Sequence, residues 1–117
     1  MLFDFLQERM RQFPTQTISD ENTTLTYSEA LNFSESFAKE IQVKKVGILC
    51  RSELNTGLGL LACFKAGVTA VPLSLRYGET HVERIIKHIG LSHIITDESG
   101  KLSVKQITDM PLSLSRR

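Results

Sequence analysis

The sequence predicts an α/β fold: a small three-layer-type parallel sheet flanked by helices, with an N-terminal helix and a β-hairpin. Three observations carry this. Residues 46–50 and 68–73 are short apolar runs, too brief for helices, the second β-branched and ending beside a proline, and both read as buried strands. Between them Leu54, Leu58, Leu61, Ala62 and Lys65 recur at helical spacing, with Ser52 placed to cap the start and Gly67 to close the end. Residues 92–96 supply a third parallel strand after a second helix. Strand, helix, strand in this order makes a βαβ unit whose crossover is expected to be right-handed.

The remaining elements follow in chain order. Leu2, Phe3, Phe5, Leu6, Met10 and Phe13 lie on one side of an amphipathic helix that stops before Pro14 and covers apolar surface. Residues 15–18 and 24–27 are β-prone and flank the polar turn Ser19-Asp20-Glu21-Asn22, which reads as a hairpin. Ser28 is placed as the N-cap of a helix running to Gln42, with Ala30, Leu31, Phe33, Phe37, Ala38 and Ile41 apolar. Residues 74–78 form a loop. The next helix covers 79–89, points Val82, Ile85, Ile86 and Ile89 inward and ends at Gly90. Residues 97–100 turn the chain into 101–104, and residues 105–117 read as a tail or an edge strand with a tail. The domain is therefore expected over 1–104. Three strands leave open edges, which a hairpin, a second copy or a partner chain should cover.

Composition excludes more than it selects. With 117 residues the chain is one domain at most, and 41% hydrophobic content supports a modest core. A formal net charge of +1, with signs interspersed, gives no electrostatic case for nucleic acid or an anionic membrane. Two cysteines, Cys50 and Cys63, are too few for a disulfide framework and read as reduced core thiols. Asp4 and Glu8 interrupt the apolar start where a signal peptide needs a basic one, and no stretch reaches membrane-span length; a cytoplasmic location is expected.

No motif completes a site, so no catalytic, cofactor-binding or metal residue is assigned. Gly57-Leu58-Gly59-Leu60-Leu61-Ala62 matches a relaxed dinucleotide fingerprint. That fingerprint needs its first glycine in the turn leaving the strand, whereas residues 51–56 intervene, which puts both glycines inside the helix. His81 and His88 sit two helical turns apart and His93 opens a strand, with no carboxylate or cysteine at ligand spacing. Ser28, Ser34 and Ser52 lack the setting of a nucleophile elbow.

Two longer stretches carry a resemblance. Leu25-Thr26-Tyr27-Ser28-Glu29-Ala30, followed by Phe64-Lys65-Ala66-Gly67-Val68-Thr69-Ala70-Val71-Pro72-Leu73, resembles the first two motifs of the adenylate-forming superfamily: acyl- and aryl-CoA synthetases, peptide-synthetase adenylation domains and luciferases. Arg76-Tyr77, Glu83-Arg84-Ile85 and residues 92–97 sit where that superfamily has its next helix and strand. The similarity spans residues 2–104. Ala30, where leucine is usual, and Ser74-Leu75, where Asp-Pro or Asn-Pro is common, depart from the pattern.

The resemblance implies activation of a carboxylate with ATP and magnesium, then transfer of the acyl group to coenzyme A or phosphopantetheine. It also implies that Tyr27 and Glu29 seat and cap a helix, and that Lys65-Ala66-Gly67 closes one against the next strand. The superfamily's phosphate loop and catalytic lysine have no counterpart in these residues, so the expectation is a truncated, non-catalytic portion that needs no cofactor alone. The alternative is a docking module, a homodimer, or one half of a split enzyme completed by another synthetase chain.

Overall fold

A computed structural model describes residues 8–13, 15–19, 23–74, 76, 78–98 and 100–107. Residues 8–12 are helical (α1), followed by β1 (Thr17–Ser19), β2 (Thr24–Thr26), α2 (Tyr27–Ala38), β3 (Lys45–Leu49), α3 (Glu53–Ala66), β4 (Thr69–Pro72), α4 (Glu79–Ile89), β5 (His93–Thr96) and β6 (Ser103–Gln106). β1 and β2 pair antiparallel as the expected hairpin; residues 20–22, expected as its turn, and residues 1–7, expected as the start of the N-terminal helix, lie outside the described residues.

The main sheet has the order β4-β3-β5-β6. β3 is paired in parallel with β4 and β5, as the sequence predicts, and β6 adds a fourth strand antiparallel to β5. The sheet is thus mixed. The direction of winding reverses at β3 while these strands stay parallel, since β3 leads to β4 on one side and β4 leads back to β5 on the other. α3 packs on the face of Ile48 and Ile95, while the end of α4 is tied to Lys45 on the other face, which gives the three layers.

Side-chain alternation assigns the faces. Val46, Ile48 and Ile95 point to the first face, where Gly59 of α3 comes close enough that a Cβ there would lie 3.5 Å from Ile95 and 3.6 Å from Ile48. These residues join Ala30, Phe37, Leu58, Ala62 and Cys63 of α2 and α3 in one buried core, with Met10, Ile18 and Leu25 packed beside it. On the second face a Cβ on Gly47 would meet Leu73, Ile94 and Leu91 at 2.9, 3.1 and 3.2 Å. Lys45, on that same face, donates from Nζ to the Ile89 carbonyl and ties the end of α4 to the sheet.

The helix ends show where local signals prevailed. Ser52 accepts from the Asn55 N–H at 3.2 Å, and Gly67 and Gly90 adopt left-handed φ of 71° and 78° to close α3 and α4, as read from the sequence. α2 is different. Its N-cap is Thr26, not Ser28: Thr26 Oγ1 accepts from the Glu29 N–H at 3.1 Å while Glu29 Oε1 accepts from the Thr26 N–H at 2.8 Å, a reciprocal capping box. α2 also stops at Ala38 rather than Gln42. Lys39, Glu40 and Ile41 donate to the carbonyls three residues back, and this tighter turn swings Ile41 into the core.

Two aromatic positions expected inward are exposed: Phe13 at 47%, with the Arg9 guanidinium 6.0 Å from its ring, and Phe33 at 37%, stacked on Phe37. Both outer edges of the sheet are blunted by the chain itself. The Thr69 and Leu73 N–H groups point to β3, so alternation aims position 72 outward, where Pro72 has no N–H to offer. β6 carries the exposed Lys105.

Two glycine substitutions separate packing from propensity. Gly47→Ala should destabilise by roughly 1 kcal/mol, the low end for overpacking because the tip of Leu73 can swing aside. Gly57→Ala, in a helix interior with nothing within 4 Å, should stabilise by up to about 1 kcal/mol. Urea denaturation of the two variants checks both signs.

Candidate functional site

Ligands of open α/β sheets bind outside the carboxyl ends of the strands, where successive crossovers diverge. Here that point lies between β3 and β5. The chain leaves β3 through Cys50, Arg51 and Ser52 into α3, and leaves β5 through Asp97 and Glu98. Backbone N–H groups at the start of α3 make this the natural place for an anion.

The protein's own carboxylate fills it. Asp97 Oδ1 accepts from the Arg51 N–H at 2.9 Å, and Oδ2 accepts from the Ser52 N–H at 3.1 Å and from Asn55 Nδ2 at 2.9 Å. Burial pushes the carboxyl pKa up, but the Arg51 N–H, the Asn55 amide and the Ser52 N–H together outweigh it and hold the group below the usual carboxylate value. Asp97 is therefore ionised near neutrality with both oxygens committed. It is a structural anion, with no proton to give.

Neighbouring groups are equally occupied. Cys50 Sγ lies 3.8 Å from the Ile95 carbonyl, and burial followed by the negative charge of Asp97 pushes its thiol up to about 12. Burial alone raises Cys63 to about 11. Both stay protonated at pH 7 and lack the thiolate that nucleophilic chemistry requires. Arg51 reaches Glu98 at 3.5 Å from a largely exposed position.

The other sequence candidates are scattered. Gly57 and Gly59 fall inside α3, away from its N-terminus, so they hold no phosphate. His81 and His88 are exposed on α4, and His93 Nδ1 sits 2.8 Å from Ser92 Oγ at the opposite, amino end of the sheet. Ser28 lies in the first turn of α2, and Ser34 donates to the Leu31 carbonyl at 3.0 Å. Among the described residues no group of three His, Cys, Asp or Glu could hold a metal, and no helix is long and apolar enough to cross a membrane. Among the described residues these candidates do not converge on one place. Asp97 itself was legible only as a turn residue, since its donors lie more than forty positions upstream and no local pattern links them.

Comparison with known proteins places this geometry. A sequence model of AMP-binding enzymes matches residues 6–115. Syringomycin synthase SyrB1 of Pseudomonas syringae pv. syringae is 29% identical over 118 residues, which take in 95% of this chain and 19% of that protein. Among solved structures, the Klebsiella oxytoca NpsA N-terminal subdomain in complex with 3-hydroxyanthranilyl-AMSN superposes with a TM-score of 0.73 at 19% identity, over 87% of this chain and 28% of that one. The O-succinylbenzoate coenzyme A synthetase MenE of Bacillus subtilis, in complex with AMP, gives 0.70 at 22% identity, over 81% and 27%. The chain thus spans between about a fifth and a little over a quarter of these relatives, and the structural likenesses speak for the fold.

Two measurements test the site. Asp97→Ala leaves three donors without their acceptor and should cost roughly 3 kcal/mol, given about 1–3 kcal/mol for each buried group left unpaired and partial rescue by water. The depressed pKa sets a pH dependence. Stability from Asp97 is fully present above the unfolded carboxylate value, about 3.9, and is lost as pH falls through the lower folded value; Asp97→Asn should flatten that acid limb in thermal melts. Separately, Cys50 and Cys63 in the folded chain should react with iodoacetamide at pH 7 more slowly than in urea, read by mass spectrometry.

Proposed function

The chain belongs to the AMP-binding enzyme family, and from that premise we propose that it is the opening portion of an ATP-dependent, acyl-adenylate-forming ligase, inactive by itself. The observation that carries this reading is the family match over residues 6–115, in which the two motifs that anchor it do architectural work. Thr26 and Glu29 cap α2, and Lys65-Ala66-Gly67 closes α3 against β4 through the left-handed Gly67. Neither motif brings a reacting group to a substrate.

The ligand chemistry of relatives supports the same class. NpsA is described with 3-hydroxyanthranilyl-AMSN and MenE with ATP and a magnesium ion, which supports activation of a carboxylate as its adenylate by the larger enzyme. The anion cradle at the start of α3 is taken by Asp97, so the nucleotide is held by other parts of the fold. This portion contributes a scaffold layer, and the acyl group and its acceptor are chosen elsewhere.

A second reading, one half of a split enzyme or a docking module, is favoured by the uneven covering of the sheet, where two helices bury one face and a single helix the other. Activity then arises only on mixing with the complementary chain.

Carboxylate-dependent ATP–pyrophosphate exchange tests the leading reading. The purified chain, offered a panel of aryl, acyl and amino acids, should give no exchange above the blank; sustained exchange overturns it.

A further inference from the structure

Charges interspersed along the sequence are sorted by the fold. α2, α3 and α4 all end at the amino end of the parallel strands, so the stretches that finish them, residues 39–45, 65–69 and 87–93, gather there. These stretches carry Lys39, Lys44, Lys45, Lys65 and Lys87, with Glu40 as their one acid. The whole chain has a formal net charge of +1, so the remainder of it is net acidic. Two of the lysines have a local duty: Lys45 donates from Nζ to the Ile89 carbonyl, and Lys65 sits in the last turn of α3, where a cation complements the negative helix end. Gln42 Nε2 donates to the Lys39 carbonyl at 3.0 Å and finishes α2 without a charge. Lys39, Lys44 and Lys87 stand exposed around them. Between the three helix ends lies a crevice of about 700 Å3. The buried Ile41 and the half-buried Val43 and Val68 make it apolar inside, and the exposed Lys44 and Lys45 line it as well. An apolar centre within a polar, charged rim is the layout of a protein–protein contact.

We infer that this crevice is a docking site for an acidic segment of another protein, which seats one large apolar side chain on Val43 and Val68 and sets carboxylates against Lys39, Lys44 and Lys87. Charge complementarity selects the partner. A second copy matches poorly. A two-fold contact sets lysine against lysine, and in a head-to-tail contact acids at the opposite end of the sheet are engaged within the chain, Asp97 by the Arg51 and Ser52 N–H groups and Glu98 by the Arg51 guanidinium. A nucleic-acid strand is held through stacking and arginine forks, and the residues lining the crevice include no aromatic side chain and no arginine. A flat bilayer surface meets the lysines but leaves the apolar centre unfilled.

Fluorescence anisotropy with the full natural gene product tests this, the probe being a short fluorescein-labelled peptide that carries one leucine among aspartates and glutamates. Binding should saturate at low salt and weaken as salt rises. It should fall roughly tenfold or more with Lys44→Glu, and as far when serine replaces the leucine of the peptide. Arg76→Glu, the same change of charge at the opposite end of the sheet, should alter it less than about twofold. If Lys44→Glu loses its thermal transition, Lys39→Glu on the exposed cap of α2 reads the same site. No saturable binding, an equal loss with Arg76→Glu, or indifference to the leucine each overturns the inference. So does tighter binding of oligothymidylate or of phosphatidylserine vesicles than of the peptide, or self-association that Lys44→Glu abolishes. The family reading fails separately, on pyrophosphate exchange by the chain alone.

Discussion

The carboxylate of Asp97 joins three things that the chain brings from different places: the end of β5, the turn that leaves β3 and the first turn of α3. Without it the Arg51 and Ser52 N–H groups at the start of a 14-residue helix would face a half-buried crevice with no acceptor. With it, β3, β5 and α3 hold a fixed relation, and that relation lets Gly59 pack on Ile48 and Ile95. The same bonds occupy the crevice with the protein's own carboxylate. An internal anion satisfies the donors that a phosphate would use, and burial, reinforced by the charge of Asp97, keeps the nearby Cys50 thiol protonated.

Much of this fold was legible because its signals are local. The βαβ unit stands out through two short apolar runs around a helical stripe, and the caps Ser52, Gly67 and Gly90 are each set by residues within one turn. The start of α2 is a local signal misjudged. Ser28 is a good capping residue in isolation, but Thr26 followed by Glu29 satisfies two backbone donors at once, and the paired arrangement prevails. What stayed hidden depends on residues distant in sequence. No spacing rule links Asp97 to Arg51 or Asn55, and none shows that β6 runs antiparallel. The exposed Phe13 and Phe33 were unreadable for a related reason, since periodicity marks a side but not how much of it a neighbour covers.

Family membership and the absence of an assigned catalytic residue are consistent with each other. Motifs that identify a fold can be those that cap helices and close turns, because such positions tolerate few residue types. The capping box on α2 and the left-handed Gly67 illustrate this, each satisfying backbone groups that nothing else nearby can reach. A family match over residues 6–115 therefore tells how the segment folds.

The span of the Asp97 bonds also bears on the order in which the chain can mature during synthesis. Strand β3 and helix α3 leave the ribosome well before residue 97, so α3 first forms with only Ser52 as its cap. The turn between them closes when Asp97, the residue after β5, arrives from more than forty positions downstream, a long loop that must be ordered before the bond rewards it. Until α4 and β5 emerge, α2 and α3 can cover the first face of β3 while its second face, that of Gly47 and Leu49, stays bare.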